Sequence, residues 1–111
     1  YKRQIWDLVR HMTFWNEYFV YRNQGGTPYS QEAVDGKNWQ PLEDASEDAW
    51  RAARDRFAAS HAQVRAALAD PSIPPPPKPQ LDLRYLLMHN SYHIGQVMYI
   101  RALLGRQPLE F

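Results

Sequence analysis

Four histidines carry the metal-binding chemistry that this sequence could perform: His11, His61, His89 and His93. His89 and His93 are four residues apart, so on a helix they share one face and both imidazoles could reach a single metal ion. His11 belongs to the apolar stripe of another predicted helix and is also expected to point inward. Three inward histidines match a catalytic zinc site, which keeps one position open for water or substrate. Buried, hydrogen-bonded core histidines are the alternative interpretation of the same pattern.

The fourth histidine, His61, lies between Phe57 and Val64 on a further apolar stripe. It could be a fourth ligand, but a histidine at the edge of a helix near solvent is the expected role. Candidates for proton transfer or substrate positioning are Glu17, Tyr85, Asn90 and Tyr92, each of which could instead be a surface or packing residue.

The positions of the prolines predict the elements that hold these residues. Six of the nine prolines lie between Pro71 and Pro79, and proline is costly inside a helix. Apolar residues at helical spacing then predict three helices, at about 1–22, 45–69 and 82–104. A long loop at 23–43, rich in turn-forming residues, and a proline-rich connector at 70–80 join them.

Capping residues support these helix boundaries. Asp44 or Ser46 is expected to cap the second helix, and Asp82 the third. Gly105 is expected to end the third helix, because glycine readily adopts the left-handed conformation that follows a helix. The sequence therefore predicts an all-α fold, with a single helical domain over residues 1–111 that is built as a bundle.

Composition excludes several functional classes. The 111 residues carry 13 Lys+Arg and 12 Asp+Glu, a net charge of +1, which argues against binding to nucleic acid or to an anionic membrane surface. The chain has no cysteine, so a cysteine nucleophile, thiolate ligands and disulfides are all excluded. No apolar run approaches the roughly 20 residues of a membrane span.

The predicted helices have more apolar surface than a three-helix core needs. The chain also starts at Tyr1, without Met, in a segment that already has the pattern of a helix interior. Two explanations are open: a fourth helix precedes Tyr1, or a second subunit covers the surplus in a homodimer. A cytoplasmic location is expected because no targeting signal is visible.

The segment from His89 to Gln96, His-Asn-Ser-Tyr-His-Ile-Gly-Gln, with its continuation to Gly105, closely resembles the last helix of the DinB-like superfamily. The segment from Ile5 to Trp15 is similar to the second helix of that superfamily, in which a histidine is followed by an aromatic residue four positions later. The resemblance covers nearly the whole chain, and the last-helix motif is its most specific part.

This resemblance implies an up-and-down-type four-helix bundle whose first helix is absent before Tyr1. It makes His11, His89 and His93 the metal-binding triad, and it provides no counterpart for His61. Gly95 is then expected to allow close approach of a neighbouring helix. Gln96, a candidate catalytic residue together with Tyr92, could orient a ligand or close an interhelical hydrogen bond.

The resemblance also implies an activity. The superfamily includes S-transferases that use low-molecular-weight thiols such as bacillithiol or mycothiol, so a divalent metal, a small-molecule substrate and a thiol cofactor are expected. Zinc is the expected ion, with nickel and iron as alternatives. Metal-dependent hydrolysis would use the same residues. The competing hypothesis is a non-catalytic, stress-related helical dimerisation or binding module with a structural metal or none.

Overall fold

The computed structural model describes residues 2–76 and 78–107, and these residues form helices and no strand. The elements in chain order are α1 (Lys2–Asn23), α2 (Gln31–Asn38), α3 (Glu47–Ala69), a 3₁₀ turn (Pro79–Leu81) and α4 (Tyr85–Leu103). The prediction of an all-α fold is confirmed. The α1 helix is central, because α2, α3, the 3₁₀ turn and α4 all pack against it.

The α1 and α3 helices run parallel. The side chains that meet are Trp6 with Trp50, Asn16 with Ser60, and Val20 with Val64. Each pair has the same separation along the chain, as expected for two parallel helices in register. The segment 24–46 therefore crosses the length of the bundle, which departs from a simple up-and-down order at this connection.

The α1 and α4 helices run antiparallel, and their register brings the histidines together. Each turn towards the start of α1 is matched by one turn towards the end of α4. Phe19 contacts Tyr85, Trp15 contacts His89, and His11 contacts His93. The imidazole centroids of His11 and His93 are 4.6 Å apart. Antiparallel packing thus converts two local sequence patterns into one cluster.

A cluster of packed, buried apolar side chains lies at one end of this arrangement. It consists of Phe19, Val20, Val64, Ala67, Leu81, Leu83 and Leu86. His11 precedes Phe19 by eight residues, which is about 12 Å along a helix at 1.5 Å per residue. The histidine cluster therefore lies about two helical turns from this apolar cluster, and buried apolar residues continue past it on the same two helices, at Leu8 and Ile100.

The α3 helix begins two residues later than predicted, because its cap is Ser46. The Ser46 hydroxyl accepts a hydrogen bond from the Ala49 N–H at 3.1 Å. Asp44, the other predicted cap, instead accepts from the Ser46 N–H at 2.9 Å. Asp44 thus orients the capping residue without capping the helix itself.

The α4 helix begins at Tyr85 rather than at 82, and the prediction that Asp82 caps it is wrong. The Asp82 carboxylate accepts from the Arg84 N–H at 2.9 Å and from the Arg84 guanidinium. These bonds form a turn before the helix, and they lower the pKa of Asp82 to about 2. At the other end Gly105 has a φ of 70°. The Arg106 N–H donates to the Arg101 carbonyl, which closes a Schellman motif at the predicted stop.

The prediction of an uninterrupted loop at 23–43 is also wrong, because this segment contains α2. Ser30 caps α2 by accepting from the Ala33 N–H at 3.1 Å. The helix has no buried residue, so it lacks the apolar periodicity on which the sequence prediction depends. Its location against α1 is a tertiary feature that local pattern does not encode.

Candidate metal centre

His11 and His93 are buried and His89 is half-buried, and the three lie at the junction of α1 and α4. One ring nitrogen from each histidine lies within 4.8 Å of one from each of the others. The structure therefore places together the three residues that the sequence selected. Imidazole nitrogens in this arrangement are suited to bind a transition-metal ion.

The tautomer of His11 is set by Asn38 at the end of α2. The Asn38 side-chain oxygen lies 2.5 Å from His11 Nδ1 and accepts from the Trp15 indole N–H at 3.0 Å. Because an indole nitrogen can only donate, the Asn38 oxygen rather than its NH₂ must face both groups. His11 Nδ1 therefore carries a hydrogen, and in the neutral ring Nε2 is a free acceptor.

The tautomer of His89 is set by a buried chain of polar groups that crosses three helices. The Ser60 hydroxyl donates to the Phe57 carbonyl at 2.8 Å and accepts from Asn16 Nδ2 at 3.1 Å. Asn16 Oδ1 then accepts from Asn90 Nδ2 at 2.9 Å, which turns the Asn90 oxygen towards His89 Nδ1 at 3.1 Å. His89 consequently donates from Nδ1, and its Nε2 is also a free acceptor.

The third histidine, His93, has its amide partner on the same helix. His93 Nδ1 lies 2.6 Å from the Gln96 side-chain oxygen. Of the two roles expected for Gln96, the structure shows the orientation of a metal-ligand candidate, His93, and no interhelical bond of Gln96 among the described residues. All three rings thus donate from Nδ1 to an amide oxygen, the partner arrangement that orients metal-binding histidines.

The distance between two of the acceptor nitrogens fits a metal ion. His11 Nε2 and His89 Nε2 are 3.1 Å apart. Zinc binds histidine nitrogen at 2.0–2.1 Å, so two ligands of a tetrahedral zinc are separated by about 3.3–3.4 Å. The residues present therefore fit a tetrahedral ion, with three protein nitrogens and one further position.

Burial keeps His11 and His89 in the neutral form that binds metals. Desolvation lowers the pKa of His11 from 6.5 to about 4, although the bond to Asn38 acts in the opposite direction and the nearby His93 and His89 lower it further. Burial also lowers the pKa of His89. Both rings are therefore unprotonated at neutral pH, which leaves their Nε2 lone pairs available to a cation.

The low pKa of His11 makes the stability of the metal-free protein depend on pH. Unfolded His11 binds a proton as the pH falls below 6.5, whereas folded His11 stays neutral until about 4. We expect the contribution of His11 to the free energy of unfolding to be constant above pH 6.5. Between pH 6.5 and 4 this contribution should fall by at most about 3 kcal/mol, and below pH 4 it should level off. Urea denaturation across this range measures the effect. A His11→Asn variant should have a shallower slope, and an unchanged slope would contradict the assignment.

An open groove lies between α1 and α4, and its lining includes residues that contact the histidines but none of the three histidines themselves. It has a volume of about 860 Å³, within the range of small-molecule sites. Trp39, which stacks on His11 with ring centroids 3.9 Å apart, forms part of its wall. Gln96 and Tyr92 also line the groove, and the Tyr92 ring is 5.4 Å from that of His93. The two candidate catalytic residues therefore line the groove next to His93.

The other candidates have structural surroundings. His61 is exposed on α3 and lies outside the cluster. Glu17 accepts two hydrogen bonds of 2.8 Å from Arg56 and links α1 to α3. Tyr85 stacks on Phe19 in the core region. Apart from the backbone of α4 itself, the described residues have no atom within 4 Å of the position that a Cβ at Gly95 would occupy. The close approach of a neighbouring helix expected at Gly95 is therefore not seen among these residues.

Sequence reasoning missed Asn38, Trp39, Asn16 and Ser60. Each contacts the cluster or its hydrogen-bonded partners from an element distant in the sequence. A local signal existed for Asn16 alone, since an asparagine on the apolar face of a helix requires buried partners.

A family model described as the DinB superfamily matches residues 1–96. The match includes all three histidines of the cluster, the whole of α1 and the part of α4 up to Gln96. The chain matches no curated protein and no solved structure. Within residues 2–76 and 78–107, none of the helices is both long and apolar enough to cross a bilayer.

Proposed function

The chain belongs to the DinB superfamily, and on that premise we propose that it binds one divalent metal ion through His11, His89 and His93. We further propose that this ion serves a thiol S-transferase or a hydrolase reaction. Superfamily membership and the histidine cluster together fit a metal-binding protein of this type.

One observation carries the proposal: His11 Nε2 and His89 Nε2 face each other at 3.1 Å. Their amide partners direct the hydrogen of each neutral ring to Nδ1, so neither Nε2 has a proton to share with the other. Two facing lone pairs at this distance repel. A bound cation would remove this repulsion, with His11 and His89 as two of its ligands.

Zinc is the ion we propose, with nickel and iron as alternatives, because imidazole ligands suit all three. Three neutral imidazoles leave the full charge of a bound ion uncompensated. Such an ion supplies one kind of chemistry, the lowering of the pKa of a coordinated thiol or water until it is deprotonated at neutral pH. The absence of cysteine from the chain means that a reactive sulfur would have to come from a low-molecular-weight thiol.

The residues around the cluster support an open site. A structural zinc site is usually closed by a fourth protein ligand, and among the described residues no carboxylate joins the three histidines. The α1–α4 groove supplies space for a small-molecule substrate beside the histidines. Tyr92 could position it from the groove wall, while Gln96 holds His93 in place. These features favour a catalytic site over a non-catalytic binding module.

The experiment combines metal analysis with an activity screen. Purified protein is expected to contain stoichiometric divalent metal and to transfer a low-molecular-weight thiol to an electrophilic acceptor, with turnover lost on chelation and restored by Zn²⁺. Turnover that survives complete removal of metal would exclude this mechanism. Metal binding without turnover on any thiol would favour hydrolysis, or else the binding-module hypothesis.

We also propose that the protein is a homodimer. The support is a stripe of exposed apolar side chains on one face of α4, each 49–71% exposed: Tyr85, Met88, Tyr92, Tyr99 and Leu103. Such contiguous surfaces mark interaction sites in soluble proteins. Light scattering should give twice the mass of the chain, and a monomer at all concentrations would exclude the proposal.

A further inference from the structure

Asn38 and Trp39, at the end of α2, surround His11 on two sides. Asn38 accepts from His11 Nδ1, and Trp39 lies parallel to the imidazole, with an interplanar angle of 9° and a centroid distance of 3.9 Å. Together they restrict both the tilt and the rotation of the His11 ring. Neither Asn38 nor Trp39 has an imidazole, thiolate or carboxylate group that could bind the metal ion. Both therefore act on the metal site through His11.

Trp15 fixes Asn38 in turn. Its indole N–H donates to the same oxygen that His11 uses, at 3.0 Å. Trp15 is one helical turn from His11 on α1, so the two donors have a constant spacing. Asn38 can satisfy both only when its side chain is directed at α1 in this one orientation.

The α2 helix has few other means of attachment. It has no buried residue, and its exposed side chains include the Gln31–Asp35 pair, which is internal to the helix. Beyond the ends of α2, Tyr29 stacks on Tyr18 at 4.7 Å and the Gln40 carbonyl accepts from Arg10 at 3.0 Å. The contacts of Asn38 and Trp39 with His11 therefore form a major part of its docking on α1.

We propose that Asn38 and Trp39 are positioning residues for His11, and that metal binding at the histidines is coupled to the docking of α2 on α1. This inference rests on the proposed metal site. The metal site would then include α2, although no sequence pattern around the histidines indicates where α2 lies.

The coupling has a simple physical origin. If His11 held a metal ion, the ion would withdraw electron density from the ring, and the Nδ1–H would become a stronger donor to Asn38. The docked α2 in turn holds His11 in the tautomer that the ion requires. Because linkage is reciprocal, a contact that raises metal affinity must be stabilised by the metal to the same extent.

Two substitutions at position 38 test the proposal by Zn²⁺ titration. Asn38→Leu keeps the approximate size and removes the acceptor, and we expect Zn²⁺ affinity to fall by about 10–100-fold, as for other hydrogen-bond partners of metal-binding histidines. Asn38→Asp keeps an acceptor for both His11 and Trp15, and we expect it to retain wild-type affinity or exceed it. The control is Gln31→Leu, which makes the same kind of change on the exposed side of α2 and should leave affinity unchanged.

Hydrogen exchange gives a second readout that does not depend on the affinity. Zn²⁺ should slow amide exchange in residues 31–39 of the wild type, and this protection should be lost in Asn38→Leu. Circular dichroism establishes that the variants fold. Wild type that binds Zn²⁺, together with Asn38→Leu that binds it within about threefold and shows the same protection, would overturn the coupling alone. Wild type that binds no Zn²⁺ would overturn the proposed metal site and the coupling with it.

Discussion

Alanine at His93 is expected to abolish stoichiometric metal binding while the helices remain folded. Substitution of a hydrogen-bond partner behind a metal-binding histidine already weakens affinity by about 10–100-fold, so loss of the ligand itself should cost more than about 100-fold. His93 is 9% exposed and does not belong to the apolar cluster around Phe19 and Val64, so the packing of α1, α3 and α4 at that cluster should survive. Elemental analysis of the purified variant and Zn²⁺ titration measure the effect.

His61→Ala is the matched control for this experiment. It removes an imidazole from α3 that is exposed and lies outside the cluster, and metal content should equal that of the wild type. His89→Ala should behave as His93→Ala does. If metal at wild-type stoichiometry and affinity remained in both cluster variants, the three histidines could not be the ligands.

Leucine at Asn16 is expected to destabilise the fold by about 2–3 kcal/mol, because it leaves two buried polar groups without their partners. Asn16 is fully buried and lies between Ser60 on α3 and Asn90 on α4. The substitution keeps the size of the side chain but deprives Asn90 Nδ2 of an acceptor and Ser60 Oγ of a donor. The free energy of unfolding, measured by urea denaturation, should fall accordingly.

A double-mutant cycle separates this network from general loss of packing. Ser60→Ala alone leaves Asn16 Nδ2 unpaired, whereas Asn16→Leu with Ser60→Ala removes both polar groups of that contact. The double variant should therefore cost less than the sum of the single variants, by about 1 kcal/mol. Strictly additive costs would show that the two residues do not interact.

Since Asn16 also orients Asn90 towards His89, Asn16→Leu should weaken Zn²⁺ binding as well.

The pairing of His89 with His93 could be predicted from sequence because it is a local property. Residues four apart on one helix share a face whatever surrounds them. The same holds for the ends of the long helices: Ser46 and Gly105 act at the predicted ends because caps depend on a few neighbouring residues. Asp82 shows the limit of this reasoning, since its carboxylate is engaged by Arg84 before the helix begins.

The position of α2 could not be predicted for the opposite reason. Its eight residues bury nothing, so no periodicity marks them as a helix. A major part of what holds α2 on α1 is the contact of Asn38 with Trp15 and His11, 23 and 27 residues away along the chain. Such contacts form only when the segment 24–46 has packed along α1.

The sequence by itself determined that this is an all-α protein of the DinB superfamily and that three histidines are its candidate metal ligands. These features follow from residue types and from spacings within single helices. The tertiary structure decided that α1 and α3 run parallel, that α1 and α4 meet with His11 opposite His93, and that an amide oxygen faces Nδ1 of each of these three histidines. Register between helices and hydrogen bonds across them depend on the simultaneous packing of distant segments, which no local spacing specifies.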